Sequence, residues 1–248
     1  MKITTWNVSG LQSMVLRYRN LEDMLEKTGS DIICIQETKM TKEKISADFA
    51  VIPSYYAFYN CAKDRTGYSG VATFCKKSTA TPFNVRKGFV IEDYRDMDFE
   101  GRCLVTDHSD FILFNIYFPM HGGPDRLTYK IWFMRVLQEN IEYLHTQGKS
   151  IVLAGDFNIA HKEMDHSHPD ESNIENGLDH FSFHRGRMWI SEMIATQRYV
   201  DAFRAFNPDT RAYTCYTADG WTSRTDYFLV SKKFIDQGGV DDCRVLEQ

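Results

Sequence analysis

Residues 150–158 read Ser-Ile-Val-Leu-Ala-Gly-Asp-Phe-Asn, a short aliphatic run that ends in a glycine, an acid and an amide. An apolar run of this length, bounded by polar residues and glycine, is typical of a buried strand. Two other runs of the same kind, 2–6 and 31–35, are also followed at once by polar residues. We therefore predict several buried strands whose carboxyl ends each carry polar side chains.

Four polar residues beside predicted strands are candidates for one shared site: Asn7, Glu37, Asp156 and Asp226. Asp226 precedes its apolar run, so it reaches the same rim only if that strand is antiparallel to its neighbours. Asp156 and Asn158 are two residues apart, so in an extended chain both side chains leave on one face. Each signature alone is more typical of a turn, a helix cap or a solvated loop. Their occurrence together favours a polar site at one edge of a sheet.

Helical patterns separate the predicted strands. Apolar residues at three-and-four spacing predict an amphipathic helix over 125–147, which Gly148 ends, and shorter helices over 16–28 and 188–198. Strands interrupted by helices without a regular alternation favour an α+β sandwich.

Composition is that of one ordinary globular domain, 1–248, since 43% of the 248 residues are hydrophobic and 25% are charged. Six cysteines without metal-type spacing indicate reduced thiols in an intracellular protein. No apolar run approaches the length of a membrane span, so we expect no membrane partner.

Six stretches along the chain match sequence motifs of one protein family. They are Thr-Trp-Asn-Val-Ser-Gly-Leu at 5–11, Asp-Ile-Ile-Cys-Ile-Gln-Glu-Thr-Lys at 31–39, Gly-Tyr-Ser-Gly-Val-Ala-Thr-Phe at 67–74, Asn-Ile-Tyr-Phe-Pro at 115–119, Gly-Asp-Phe-Asn-Ile-Ala-His at 155–161 and Arg-Thr-Asp-Tyr-Phe-Leu-Val at 224–230. In these stretches the chain resembles the exonuclease III family of AP endonucleases, within the endonuclease/exonuclease/phosphatase superfamily. Asp165-His166 and the Gly-Arg-Met-Trp at 186–189 are most similar to the eukaryotic AP endonuclease 2 branch. The resemblance implies a four-layer αββα sandwich, in which two packed, mostly antiparallel sheets are flanked by helices.

The same resemblance implies a metal site. Glu37 corresponds to the principal ligand of Mg²⁺, for which we expect Mn²⁺ to substitute, and Asn7 corresponds to an orienting amide beside the metal. Magnesium prefers oxygen ligands and is held by one or two carboxylates, which suits Glu37. Ser9 stands where the family has Asp or Asn, so a contact near the metal is expected to be weaker here.

Four further residues are implied to act in catalysis. Tyr117 corresponds to a donor to the scissile phosphate, and Asp156 to the group that aligns or deprotonates the attacking water. Asn158 corresponds to a partner on the phosphate side, and Asp226 to the acid that orients the catalytic histidine of the family. In the family that histidine lies in a Ser-Asp-His-x-Pro stretch.

No such stretch occurs before the sequence stops at Gln248, after the predicted approach strand 242–245. We expect the sequence to be a fragment or truncated form that lacks its last strand. His161, His166 and His168 with Asp165 have the composition of a metal cluster, which we interpret as a hydrogen-bonded loop because histidine suits magnesium poorly.

The partner implied is double-stranded DNA with an abasic site or a 3′ end. A net charge of -5 does not oppose this, because DNA binding needs local positive potential rather than a positive total. The candidate DNA-binding residues are Lys39, Lys63, Arg65, Tyr68, Arg187 and Arg224.

The sequence thus predicts a magnesium-dependent DNA phosphodiesterase of base-excision repair. It would cleave 5′ to abasic sites or remove 3′-terminal nucleotides and blocks, as a monomer, in the nucleus if the source is eukaryotic. One alternative is another phosphoesterase of the superfamily, acting on RNA 3′ ends or phosphoinositides. The other is a catalytically impaired domain that binds abasic DNA.

Overall fold

The computed structural model describes residues 1–63, 65–95, 98–120, 123–176, 184–196 and 198–246. The chain divides into two compact units. The first comprises Met1–Phe118 and Val136–Asp156, and the second comprises Pro119–Arg135 and Phe157–Gln248.

The first unit contains a four-stranded mixed sheet in the order β1-β2-β4-β3. Its strands are β1 (Ile3–Asn7), β2 (Ile32–Gln36), β3 (Tyr55–Asn60) and β4 (Val71–Lys76). Strands β1 and β2 are parallel and end together, with Asn7 paired to Gln36. Strand β4 is antiparallel to both β2 and β3. The parallel pair therefore brings Asn7 and Glu37 to the same edge of the sheet, as we predicted from the polar residues that follow these strands.

A second mixed sheet of this unit has the order β5-β6-β7-β8. Its strands are β5 (Asn84–Lys87), β6 (Cys103–Asp107), β7 (Ile112–Tyr117) and β8 (Ile151–Asp156). Strands β7 and β8 are parallel, with Tyr117 paired to Asp156. Gly155 is required in β8, because a Cβ atom there would lie 1.8 Å from the carbonyl oxygen of Ile116.

A buried chain of side-chain amides joins β7 to the first sheet. Nε2 of Gln36 donates to Oδ1 of Asn115 at 2.8 Å, and Nδ2 of Asn115 donates to the carbonyl oxygen of Ala72 at 2.8 Å. Oγ1 of Thr5 donates to Oε1 of Gln36 at 3.2 Å. Gln36 and Asn115 are fully buried. Because an unpaired buried amide costs about 1–3 kcal/mol, these bonds favour one alignment of the strands involved.

Short helices precede and follow the strands of the first unit. They are α1 (Leu11–Val15), α2 (Leu21–Lys27), α3 (Ala47–Ala50) and α4 (Glu92–Arg95), with a 3₁₀ helix at Lys42–Lys44. Buried Leu21 and Leu25 of α2 belong to the core cluster that includes Ile33 of the first sheet. The predicted helix over 16–28 begins only at Leu21, because the side chain of Asn20 caps it by accepting the N–H of Asp23.

Helix α5 (Pro124–Thr146) is the long amphipathic helix predicted over 125–147. Its buried residues include Val136, Leu137, Ile141 and Leu144. With two mixed sheets flanked by helices, the predicted four-layer α+β sandwich is confirmed.

The second unit carries shorter elements. They are β9 (Tyr199–Asp201), β10 (Cys215–Tyr216), β11 (Thr222–Ser223), β12 (Asp226–Ser231), α6 (Pro169–Asn176), α7 (Arg185–Ala195), α8 (Ala202–Phe206) and α9 (Lys232–Asp236), with a 3₁₀ helix at Glu163–Asp165. Strand β12 is antiparallel to β9. Helix α7 begins three residues before the predicted start, because the ring of His184 accepts the N–H of Gly186 at 3.2 Å.

One predicted strand is wrong. Residues 242–245 pair with no strand among the described residues, and the carbonyl oxygen of Cys243 instead accepts Nδ2 of Asn207 at 2.7 Å. This segment reads Asp-Cys-Arg-Val, and with two charged residues among four it is a weak strand pattern. None of the helices formed by the described residues is long and apolar enough to cross a membrane.

Candidate active site

The side-chain amide of Asn7 bridges two carboxylates at the shared edge of the first unit. Its Nδ2 donates to Oε1 of Glu37 at 3.0 Å and to Oδ2 of Asp156 at 2.8 Å. Its Oδ1 accepts the backbone N–H of Ser9 at 3.0 Å, which fixes the orientation of the amide. Asn7 ends β1, Glu37 follows β2 and Asp156 ends β8, so three strand ends supply this cluster.

Glu37 has three side-chain partners in the cluster. Oε1 accepts the phenol of Tyr117 at 2.9 Å as well as Asn7, and Oε2 pairs with the ammonium of Lys39 at 3.1 Å. Partial burial favours the neutral carboxyl, but the hydrogen bonds from Asn7, Tyr117 and Lys39 outweigh it. The pKa of Glu37 therefore lies below its ordinary value. The carboxylate is preformed as an anion beside a cation.

Tyr117 supplies a phenol that stays protonated. It is 8% exposed at the end of β7. Burial first, and then the negative charges of Glu37 and Asp156, raise the pKa of Tyr117 well above its ordinary value. The hydroxyl is therefore a hydrogen-bond donor at any physiological pH.

Arg102, which the sequence did not mark, lies against Tyr117. Its guanidinium carbon is 4.6 Å from the centre of the Tyr117 ring, and Nη1 donates to the carbonyl oxygen of Tyr117 at 3.1 Å. The side chain is 1% exposed. A buried arginine next to a glutamate, here Glu100, is common in structural ion pairs, so only the fold identifies this one.

The backbone at the cluster is in an unusual conformation. Among the described residues, five of the six non-glycine residues with positive φ lie in the family-like stretches, and they are Ser9 (47°), Glu37 (51°), Lys39 (52°), Ser69 (49°) and Asn158 (50°). Such residues cost free energy and concentrate at functional sites, where surrounding contacts enforce them. This signal is absent from the sequence, because none of these residue types except asparagine favours the left-handed region.

A glycine-rich turn holds the loop that carries Glu37. The N–H of Thr38 donates to the carbonyl oxygen of Gly70 at 3.0 Å, and the N–H of Lys39 donates to that of Ser69 at 2.9 Å. A Cβ atom at Gly70, whose φ is 84°, would lie 2.5 Å from Oγ1 of Thr38. The Gly-Tyr-Ser-Gly stretch is thus part of the support of Glu37.

Asn158 and Asp226 belong to the second unit. The carbonyl oxygen of Asn158 accepts Nζ of Lys130 at 2.7 Å, and Lys130 is itself buried. Asp226 begins β12, and its N–H donates to Oγ1 of Thr214 at 3.2 Å. In the same unit the N–H of Phe157 donates to the carbonyl oxygen of Thr225 at 2.8 Å, which holds Phe157 beside the start of β12.

Two predicted DNA-binding residues are buried and engaged. Arg224, 1% exposed, pairs with Asp165 at 2.9 Å and with Asp201 at 2.7 Å. Arg187, 5% exposed, donates to the carbonyl oxygen of Ala160 at 2.9 Å, and burial lowers its pKa to about 10. Their burial contradicts the prediction that these guanidinium groups contact DNA directly. Both stabilise the second unit instead, because a buried cation must be paired or hydrogen-bonded.

The other predicted DNA-binding residues are accessible to different degrees. Arg65 is exposed and stacks on the ring of Tyr68 at 4.3 Å. Nζ of Lys63 lies 5.5 Å from the centre of the Phe99 ring. Lys39 donates to Oγ of Ser9 at 3.0 Å in addition to its ion pair with Glu37.

The donor set suits a hard divalent cation. Among the described residues, no group of three or more histidine, cysteine, aspartate and glutamate side chains is placed to hold a metal ion. Asp165 is committed to Arg224, which supports the interpretation of the histidine-rich stretch as a structural loop. Oε2 of Glu37, by contrast, already pairs with one cation, the ammonium of Lys39. One carboxylate among hydrogen-bonding groups is a donor set that magnesium accepts.

Comparisons with known proteins identify the family of the chain. A model of the Endonuclease/Exonuclease/phosphatase family matches residues 4–242. The chain is 31% identical to DNA-(apurinic or apyrimidinic site) endonuclease 2 of Bos taurus over 95% of the chain and 55% of that protein. It is 33% identical to DNA repair nuclease APEX1 of Danio rerio, over 99% of the chain and 77% of that protein.

The solved structure of the Xenopus laevis APE2 catalytic domain superposes with a TM-score of 0.82 at 29% identity, covering 95% of this chain and 84% of that one. The chain spans about half the length of the endonuclease 2 relatives that it matches.

Proposed function

Because the chain belongs to the Endonuclease/Exonuclease/phosphatase family, we propose that it is a magnesium-dependent DNA phosphodiesterase that cuts 5′ to abasic sites and trims nucleotides or blocking groups from 3′ ends. The observation that carries this proposal is the cluster of Glu37, Asp156 and Tyr117 around the amide of Asn7. It combines an anion for a metal, a second carboxylate and a neutral donor. Phosphodiester hydrolysis requires these three kinds of group.

Glu37 is proposed to hold the cation. When bound there, Mg²⁺ would neutralise charge on the non-bridging and leaving oxygens of the phosphodiester, and Mn²⁺ is expected to do the same. The lowered pKa of Glu37 keeps it ionised without a metal, so the site needs no deprotonation before binding. Asn7 is proposed to orient Glu37 rather than to donate its oxygen, because Nδ2 faces both carboxylates.

Asp156 is proposed to align the attacking water and to accept its proton. The hydrogen bond from Asn7 occupies Oδ2 and fixes the rotation of the carboxylate. A base that is already held in the reactive orientation loses little conformational entropy when it accepts the proton.

Tyr117 is proposed to donate to the scissile phosphate. Its raised pKa keeps the hydrogen on the phenol, and in the free protein that hydrogen is directed to Glu37. A donor aimed at the extra negative charge of the transition state stabilises it more than the ground state.

Asn158 is proposed to contact the phosphate, and Asp226 is proposed to orient an imidazolium. The left-handed turn of Asn158 is held through its carbonyl by Lys130. None of the eight histidines of the sequence lies in a Ser-Asp-His-x-Pro stretch. We further propose a monomeric protein that acts in the nucleus, by analogy with the eukaryotic relatives.

The test offers the purified chain four substrates with Mg²⁺ or Mn²⁺. These are an end-labelled duplex with one abasic-site analogue, a nicked duplex ending in a 3′-phosphate, a single-stranded RNA and an inositol polyphosphate. We expect incision 5′ to the abasic analogue and removal of the 3′-phosphate, and neither without metal. Cleavage of the RNA or inositol substrate alone would identify a different phosphoesterase. Abasic duplex that is bound but never cut would identify a binding domain.

A further inference from the structure

A column of alternating cations and aromatic rings runs through the first unit from the surface to Glu37. The guanidinium carbon of exposed Arg65 lies 4.3 Å from the centre of the Tyr68 ring. That of buried Arg102 lies 5.6 Å from the Tyr68 ring and 4.6 Å from the Tyr117 ring. The phenol of Tyr117 donates to Glu37 at 2.9 Å. Arg102 is therefore the one member in contact with both tyrosines.

Each nitrogen of the Arg102 guanidinium has a different partner. Nε donates to Oε2 of Glu100 at 2.5 Å, Nη1 to the carbonyl oxygen of Tyr117 at 3.1 Å and Nη2 to the hydroxyl of Tyr68 at 3.0 Å. These three bonds fix the plane of the guanidinium. A lysine at this position cannot reproduce them, because its single nitrogen cannot reach three groups in a planar fork.

The backbone of Arg102 is fixed as firmly as its side chain. The carboxylate of Asp98 accepts the N–H groups of Arg102 and Cys103 at 2.8 and 2.9 Å, and Nδ2 of Asn60 at 2.8 Å. The N–H of Tyr117 donates to the carbonyl oxygen of Arg102 at 2.8 Å. Arg102 is thus held against Tyr117 through the main chain and can shift little without moving it.

The column connects two residues with different proposed tasks. Tyr68 is proposed to contact DNA, and Tyr117 is proposed to donate to the scissile phosphate. A cation over the face of a ring is strongly attracted to it when both are withdrawn from water. Its positive charge also makes the phenol of that ring a better donor. The orientation of Arg102 therefore affects how Tyr117 acts, and the hydroxyl of Tyr68 helps to set that orientation.

We propose that Arg102 is a positioning residue that couples the DNA-contacting residue Tyr68 to the phosphate donor Tyr117. This inference rests on the proposed function of the site. DNA seated on Tyr68 would hold its hydroxyl in place, the hydroxyl would hold Nη2 of Arg102, and the guanidinium would hold the ring of Tyr117 in its productive orientation. Binding of DNA and alignment of the donor are then linked through one side chain.

The critical variant is Tyr68→Phe, which keeps the ring available for stacking and removes the hydroxyl that accepts Nη2 of Arg102 and donates to Oε2 of Glu100 at 3.5 Å. We expect the single-turnover rate on abasic duplex to fall about tenfold, while the Kd for DNA in EDTA changes less than about threefold. In an Arg102→Met background the same substitution should have no further effect, because the coupling residue is already absent. Arg102→Lys, which keeps the positive charge, should cleave as slowly as Arg102→Met. Tyr56→Phe serves as the matched control, since Tyr56 also lies under a cation, Lys77, but outside the column.

A rate reduction that is the same for Tyr68→Phe in both backgrounds would overturn the coupling, as would a change confined to Kd. Thermal melting gives a readout that needs no substrate. The shifts caused by Tyr68→Phe and Tyr117→Phe should be non-additive in the wild type and additive in Arg102→Met, and additivity in both would also overturn the proposal. If Arg102→Met does not fold, Arg102→Lys takes its place in both cycles. A wild type that cuts no DNA would refute the proposed function and leave the melting cycle as the separate test of Arg102.

Discussion

Nδ2 of Asn7 lies 2.8 Å from Oδ2 of Asp156, a hydrogen bond between residues 149 positions apart in the sequence. The same nitrogen also donates to Glu37. One amide thus separates two carboxylates that would otherwise repel each other and favour protonation. This arrangement keeps a metal-binding anion and a base side by side, and it makes the two carboxylates separately testable.

Replacement of Glu37 by Gln should abolish cleavage while leaving the Kd for DNA in EDTA nearly unchanged. The substitution keeps the shape and one acceptor but removes the charge that would hold the cation. It should also remove the magnesium-dependent rise in melting temperature that ligand binding to the folded state produces. Glu43→Gln, an exposed acid a few residues away, is the control and should behave as the wild type. Magnesium-dependent cleavage by Glu37→Gln would refute the assignment.

Asp156→Asn should lower turnover by about 10²- to 10⁴-fold with little change in KM, the range usual for a lost general acid or base. The asparagine oxygen can still accept the hydrogen bond from Asn7, so the fold should be preserved. Steady-state kinetics and a thermal melt separate the two effects. A defect seen wholly in KM would make Asp156 a substrate-binding residue.

The double substitution of Lys63 and Arg65 by Ala should weaken DNA binding and flatten its salt dependence. Each lost phosphate contact lowers the slope of log K against log salt by about 0.9. The control is the double substitution of Lys76 and Lys77, because Lys76 pairs with Glu26 and Lys77 donates to backbone carbonyls. The measurement is the Kd for DNA of each variant at salt concentrations from about 50 to about 200 mM, over which the loss of phosphate contacts changes the slope. An unchanged slope would place the DNA elsewhere.

Arg224→Gln should destabilise the protein by about 3–5 kcal/mol, because it leaves buried Asp201 without an ion pair and Asp165 with Arg204 alone. Urea unfolding measures this loss. The control Arg19→Gln breaks an exposed pair with Asp23 and should have no measurable effect. If Arg224→Gln folds with wild-type stability but binds DNA poorly, the buried arginine has a role in recognition after all.

Stability should fall as the pH decreases from about 6.5 to about 4, in part because of His161. Burial lowers the pKa of this imidazole from 6.5 to about 4, so the folded protein keeps it neutral where the unfolded chain is protonated. Protons therefore favour unfolding in this window. The stability that the neutral imidazole allows is fully present above pH 6.5. His161→Gln should make the decline shallower.

Burial also lowers the pKa of His108 to about 4, so His108 adds to the loss of stability at low pH. Stability should therefore depend still less on pH when both His161 and His108 are replaced by Gln. NMR titration checks the cause directly, and a His161 ring that protonates near pH 6.5 in the folded protein would contradict it.

Sequence patterns located β1, β2, β8 and the long helix to within a few residues, because apolar runs and helical spacing of apolar residues reflect burial directly. They failed where a local side chain decides a boundary, as Asn20 does for α2 and His184 for α7. They also failed at 242–245, where two of the four residues are charged and this described segment forms no strand. The single-domain organisation and the chemical roles of the site residues stay predictions.

What the sequence determined by itself is the set of strand ends that carry Asn7, Glu37, Tyr117 and Asp156, because a polar residue at the end of a buried strand can go only to its rim. Tertiary structure alone decided which charged residues face solvent. Arg65 and Arg224 are the same residue type, yet one is exposed and the other lies between two buried carboxylates. The placement of Arg102 between Tyr68 and Tyr117 was equally invisible, because residues distant in sequence meet only when strands pair. Local composition records the propensity of a segment, whereas burial and charge pairing depend on neighbours that the chain supplies from elsewhere.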